Sequence, residues 1–168
     1  MTPNDEPSAW DERSTLLTLL RYARDVAVAK CRDLAPEHAA EAPLATSPLM
    51  TIGGVVNHLR WVEHFWIESG FVGGPDLGPW TDESPDQEFI DGARTPLEDV
   101  LRAYADQRAR TDRIIEGLDL DDRSATALRS GEHPTLRWVI LHLIEETARH
   151  NGHLDILREL ADGSTGRG

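Results

Sequence analysis

The stretch LRWVILHLIEETARHNGHLDILRE, residues 136–159, decides the fold. Its apolar residues recur every three or four positions with no proline to interrupt them, the mark of a long amphipathic helix. On a wheel of roughly 100° per residue with His150 at zero, Val139 and Leu157 fall about 20° to one side and Leu143 about 20° to the other, with Leu136 and Leu154 about 40° away. His150 is therefore in the middle of the core-facing stripe. Glu146 lies one turn earlier, about 40° from His150 and still against the apolar arc, and His153 and His142 follow at about 60° and 80° on the same flank. Arg149 and Arg158 fall at or beyond the edges. Thr135, after His133 and Pro134, is placed to cap the helix, which is expected to run to about Ala161 before Gly163.

Outward from this helix, three more segments carry helical periodicity, and no run of β-branched residues alternates convincingly. The first spans about Asp11 to Leu34, with Leu16, Leu17, Leu20, Ala23, Val26 and Ala27 on one face and Pro36 closing it. The second runs from near Thr51 to Gly70, where Gly70, Gly73, Gly74 and Pro75 break the pattern. A long loop is expected from about Gly73 to Thr95, of the kind that serves as a lid or binding segment. The third helix covers about Pro96 to Leu118, and the tail GSTGRG is expected to fray. With no internal repeat, these elements predict an all-α four-helix bundle. A chain of 168 residues is expected to make a single domain, its core spanning about residues 11–162.

Thirty acids against seventeen bases give a formal charge of −13, which argues against nucleic acid and anionic membranes as partners. The acidic N-terminus lacks a secretory signal and no apolar run is long enough to span a membrane, so a cytoplasmic protein is expected. The lone Cys31 cannot form an internal disulfide and reads as a small core residue. A single lysine among abundant Arg, Ala, Gly and Leu is a composition of the GC-rich kind.

In the second helix His58 also faces inward, with Thr51, Val55, Val62 and Phe65 all within about 60° of it, whereas His64 lies about 120° away and reads as a surface or interfacial residue. A carboxylate buried among Val, Leu and Phe is costly unless it is paired or binds an ion. Glu146 has His150 four residues later and His58 on another helix, so the three form a candidate metal site of two imidazoles and one carboxylate. His142 and His153 are candidates for an additional ligand or for a supporting place around the site. Spacing alone leaves open a metal-free hydrogen-bonded network of the same residues. The pattern is neither HExxH nor ExxH, and no phosphate-loop or nucleophile-elbow motif is present.

The stretches TIGGVVNHLRWVEHFW, residues 51–66, and LRWVILHLIEETARHNGHLDILRE resemble the two signature helices of the DinB-like superfamily. The resemblance covers most of the chain and implies an up-down-down-up bundle, often a homodimer, binding a divalent metal through one histidine of the second helix and two ligands four residues apart on the fourth. Carried over, these are His58, Glu146 and His150, with Glu146 where the superfamily commonly has His. That Glu resembles the mycothiol-dependent maleylpyruvate isomerase branch. Two histidines and a glutamate suit zinc foremost, with nickel or iron(II) as alternatives.

Among such relatives are transferases and isomerases that use a low-molecular-weight thiol, so the resemblance implies a metal-dependent enzyme whose partners are a small-molecule thiol such as mycothiol and an electrophilic substrate. Two other functions fit the sequence: a non-catalytic dimeric stress or binding protein with a structural metal, and a metal-dependent hydrolase. The aromatic stretch holding Trp61 and Trp66 exceeds what one helix face needs for its own core and is read as supporting a dimer.

Overall fold

The computed structural model describes residues 3–165; Met1, Thr2 and the last three residues of the GSTGRG tail lie outside the described residues. It is all-α, as the periodicity predicts. Helix α1 spans Glu12–Ala29, α2 Ile52–Glu63, α3 Gln87–Arg94, α4 Leu97–Glu116 and α5 Leu136–Asp162. Among the described residues there is no strand beyond an isolated bridge between Arg123 and Thr135, and no helix is long and apolar enough to cross a membrane.

The starts of α1, α2 and α5 follow from side-chain caps. Asp11 accepts from the Ser14 N–H, Thr51 from that of Gly54 and Thr135 from that of Trp138, each satisfying a backbone donor that has no partner within the helix. Gly163 ends α5 in the left-handed region at φ 76°, which costs glycine nothing. Helix α1 stops at Ala29, short of the expected Leu34. Downstream, Asp33 adopts a left-handed φ of 55°, a conformation that aspartate, with its short polar side chain, tolerates better than most residues.

Two departures from the sequence expectations bear on the site. The segment from Gly73 to Thr95 is not wholly a loop, because its second half forms α3, which packs on α2. Helix α2 continues as a π-helical stretch, His64–Phe71. There the 100° register fails, and Phe65, expected on the inner face, is 41% exposed. His64, expected at the surface, is buried: the segment after the π-helix folds over it, and the Leu77 N–H donates to its Nε2 at 3.1 Å.

The core has two apolar clusters separated by a polar layer. One holds Ala27, Val55, Leu59, Tyr104 and Leu154, with the expected core residue Cys31. The other holds Leu16, Leu20, Ile67, Ile115, Val139 and Leu143. Each fully buried Leu or Ile contributes about 1.5–3 kcal/mol relative to exposure. Between the clusters, each long helix supplies buried polar residues: Arg24 from α1, Glu63 at the end of α2, Gln107 and Thr111 from α4, and Glu146, Thr147 and His150 from α5. Arg24 and Glu63 form a bidentate pair at 2.8 and 2.7 Å. Burial works against the Arg24 charge, but Glu63 and Asp112 outweigh it and hold the guanidinium pKa above its usual range.

Candidate metal centre

Helix α2 contributes His58, and α5 contributes Glu146 and His150 from successive turns. One ligand-capable atom from each lies within 4.8 Å of the other two. Both imidazoles address the same oxygen: Glu146 Oε1 is 3.3 Å from His58 Nε2 and 3.2 Å from His150 Nε2. The other oxygen, Oε2, accepts from Arg149 Nη2. The hydrogen bonds from His150 and His58, with help from Arg149 and against the cost of burial, hold the Glu146 carboxyl far below the ordinary carboxylate range. Burial disfavours a charged His58, yet its bonds to Glu146 and Glu88 outweigh that and raise its pKa.

Glu88 is the residue that sequence reasoning missed. It is buried, and its Oε1 lies 3.1 Å from His58 Nδ1. Its neighbour Phe89 stacks on the His58 ring at 4.5 Å and 17°. Helix α3 reaches this position because it meets α2 through two glycines: a Cβ on Gly92 would stand 2.5 Å from the Gly53 carbonyl oxygen, and one on Gly53 would stand 2.5 Å from that of Gly92. Asn57 adds a hydrogen bond to the Glu88 carbonyl at 2.7 Å. Arg149, which the wheel puts at or beyond the edge of the core stripe, nevertheless reaches Glu146 from three residues along the helix, a spacing at which i and i+3 side chains meet.

The remaining histidines separate clearly. His153 Nδ1 lies 3.3 Å from His150 Nδ1, beside the group. Burial first, then the neighbouring His150 and Arg149, lowers its pKa. His142 is not brought to this group. It stacks on Trp138 at 5.2 Å and meets Trp66 edge-on at 4.5 Å.

Two imidazole nitrogens and a carboxylate oxygen converging from two helices form a donor set matched to zinc, nickel or iron(II). Without an ion, one carboxylate oxygen must serve two imidazoles at long hydrogen-bond distances, so the residues fit a shared cation.

An all-α bundle with such a group between its second and last long helices is a DinB-like protein. Residues 15–163, from within α1 past the end of α5, match the sequence model of the mycothiol S-transferases, and the chain belongs to this DinB-like family. A comparison with curated proteins found no match.

Proposed function

We propose that this protein is a metal-dependent transferase that joins the sulfur of mycothiol to an electrophilic small molecule. The observation that carries this reading is the convergence of His58, Glu146 and His150 in a chain of the mycothiol S-transferase family. These three residues would hold a divalent ion, with zinc the best match to two His and one Glu. Such an ion supplies the positive charge that stabilises a thiolate over a thiol near neutral pH.

The protein's own groups prepare the site. With an ion bound, Glu88 would accept the Nδ1–H of His58 and leave its Nε2 lone pair, on the side of Glu146 and His150, for the ion. Arg149 holds the second oxygen of Glu146, so that Oε1 is the atom turned to both imidazoles. A homodimer belongs to the same reading. It is supported by Phe65 and Trp138, which are 41% and 42% exposed and whose rings meet that of the half-buried Trp66.

Elemental analysis of protein purified without a metal-affinity tag, followed by a mycothiol-consumption assay with an alkylating electrophile, tests the proposal. About one divalent ion per chain and loss of thiol above the uncatalysed rate are expected. Metal-loaded protein that consumes no mycothiol with any electrophile would remove the transferase function. Sedimentation at micromolar concentration showing monomer alone would remove the dimer.

A further inference from the structure

A cavity of about 300 Å³ lies directly against the candidate centre. Pro48, Leu49 and Met50, from the segment leading into α2, form one wall; Val55 of α2, Phe89 of α3 and His150 of α5 complete it. Two of these residues tie the cavity to the chemistry. His150 is a candidate ligand, and Phe89 is the ring stacked on His58. A second, larger cavity, about 500 Å³ between Phe65, Trp66 and the segment around Arg129, touches none of the three ligands.

The lining next to His150 is almost wholly apolar, with Ser47 and the acidic Asp86 its remaining members. This chemistry separates the two reactants. Mycothiol is a polyhydroxylated sugar thiol, and burying its hydroxyls here would leave them without partners, at a cost for each. An aryl or branched alkyl group gains with every Å² taken out of water. The volume is at the small end of ligand pockets, which run from roughly 300 to 1,000 Å³. Asp86 disfavours an anion.

We propose that this cavity seats the apolar part of the electrophile, so that the substrates are uncharged electrophiles carrying a compact aryl or branched alkyl group beside the reacting carbon. This rests on the transferase reading. In the reaction the thiol proton passes to solvent and the sulfur's electron pair forms the S–C bond. The bond from that carbon to the leaving group breaks, its pair departing with the leaving group.

Binding and turnover test the two layers separately. Indole, an unreactive aryl probe, is titrated without mycothiol while the methyl resonances of Met50 and Val55 are followed by NMR. Leu49 is 37% exposed, so Leu49→Asp alters the wall without emptying the core. Wild-type protein is expected to show saturable shifts at both methyls, and Leu49→Asp to weaken indole on the order of tenfold. Leu49→Gln, uncharged, guards against a folding defect and should weaken it as well. In turnover, benzyl chloride should exceed chloroacetamide in kcat/KM relative to their uncatalysed rates, and Leu49→Asp should erase that preference. Absence of shifts at Met50 and Val55, or indole binding unchanged in both variants, would overturn the assignment. Normal indole binding with no mycothiol consumed from either chloride would leave the aryl site standing and remove mycothiol transfer instead.

Discussion

His58 Nδ1 lies 3.1 Å from Glu88 Oε1, joining α2 to a carboxylate 30 residues further along the chain. Glu88 has no other side-chain acceptor role among the described residues, and its Oε2 is buried without a hydrogen-bond partner. Its carboxylate is therefore committed to orienting one imidazole. Removing such a partner from a metal-bound histidine typically costs about 10–100-fold in metal affinity. Glu88→Ala is expected to fall in that range while retaining its helical circular dichroism, and Glu88→Gln, which keeps an acceptor, to lose less. Competition with a chelating dye measures both. Unchanged metal affinity in Glu88→Ala would show that His58 needs no such support.

The three proposed ligands should behave differently from their neighbours. His58→Ala, His150→Ala and Glu146→Ala are each expected to reduce bound metal to little or none in a folded protein. His153→Ala, adjacent to His150, should weaken binding by the smaller factor of a supporting residue. His142→Ala should leave metal content unchanged, since its ring packs against Trp66 and Trp138 and not against the three ligands. Elemental analysis of the five purified variants checks the ranking, and loss of metal in His142→Ala with retention in Glu146→Ala would reverse the assignment.

What could be read in the sequence was whatever helical periodicity carries. His150, Glu146 and His58 each lie near an apolar stripe, so their convergence followed from the wheel and the bundle. His64 and Phe65 were misplaced because a π-helical turn abandons that register, and because the burial of His64 comes from a segment more than ten residues away that no local pattern announces. Glu88 and Phe89 were hidden for a related reason. An eight-residue helix offers too few turns to show periodicity, and its docking is set by two small residues, Gly53 and Gly92, whose meaning appears only when the backbones meet.

That meeting makes Gly92 a sharp test of how α3 is held. A methyl group there would stand 2.5 Å from the Gly53 carbonyl oxygen and 2.7 Å from the Asn57 Cβ, neither of which can swing aside. Overpacking of this kind usually costs about 1–3 kcal/mol. Gly92→Ala should lower the melting temperature accordingly. By displacing Glu88 and Phe89 from His58, it should weaken metal binding as well. A variant with wild-type stability and affinity would mean that α3 can shift without consequence.

The Arg24–Glu63 pair makes a stability prediction independent of the metal. Both side chains are 2% exposed, so removing one partner strands a buried charge. Breaking such a pair typically costs about 3–5 kcal/mol, and Glu63→Gln should lie near the lower end because Asp112 still holds Arg24 at 2.7 Å. The double variant Arg24→Met/Glu63→Leu should cost less than Glu63→Gln alone, since an apolar pair of similar volume needs no compensation. Urea unfolding of the two proteins decides it; a double variant less stable than the single would show that the ion pair contributes net stability.

Cys31 separates the protein's own thiol from the cofactor's. Burial, outweighing the opposing charge of Arg158, pushes its pKa up to about 12, and its Sγ lies 3.5 Å from the Ala27 carbonyl oxygen. A thiol so placed is neutral and shielded at pH 7, and the thiolate is the nucleophile, so Cys31 is not expected to attack an electrophile. The native protein should resist a disulfide-exchange reagent until it unfolds, and Cys31→Ser should transfer mycothiol at the wild-type rate. The sign of the pH effect follows from the raised value. The folded state keeps its proton where the unfolded state loses it, so Cys31 imposes no penalty below the ordinary thiol value of 9.0 and costs stability as pH rises from there toward about 12. Wild-type protein should therefore lose stability faster than Cys31→Ser across that alkaline window, as urea midpoints taken at stepped pH would report. Rapid labelling of the native protein at pH 7, together with loss of turnover in Cys31→Ser, would make Cys31 a participant in the chemistry and displace the metal-held thiol from its role.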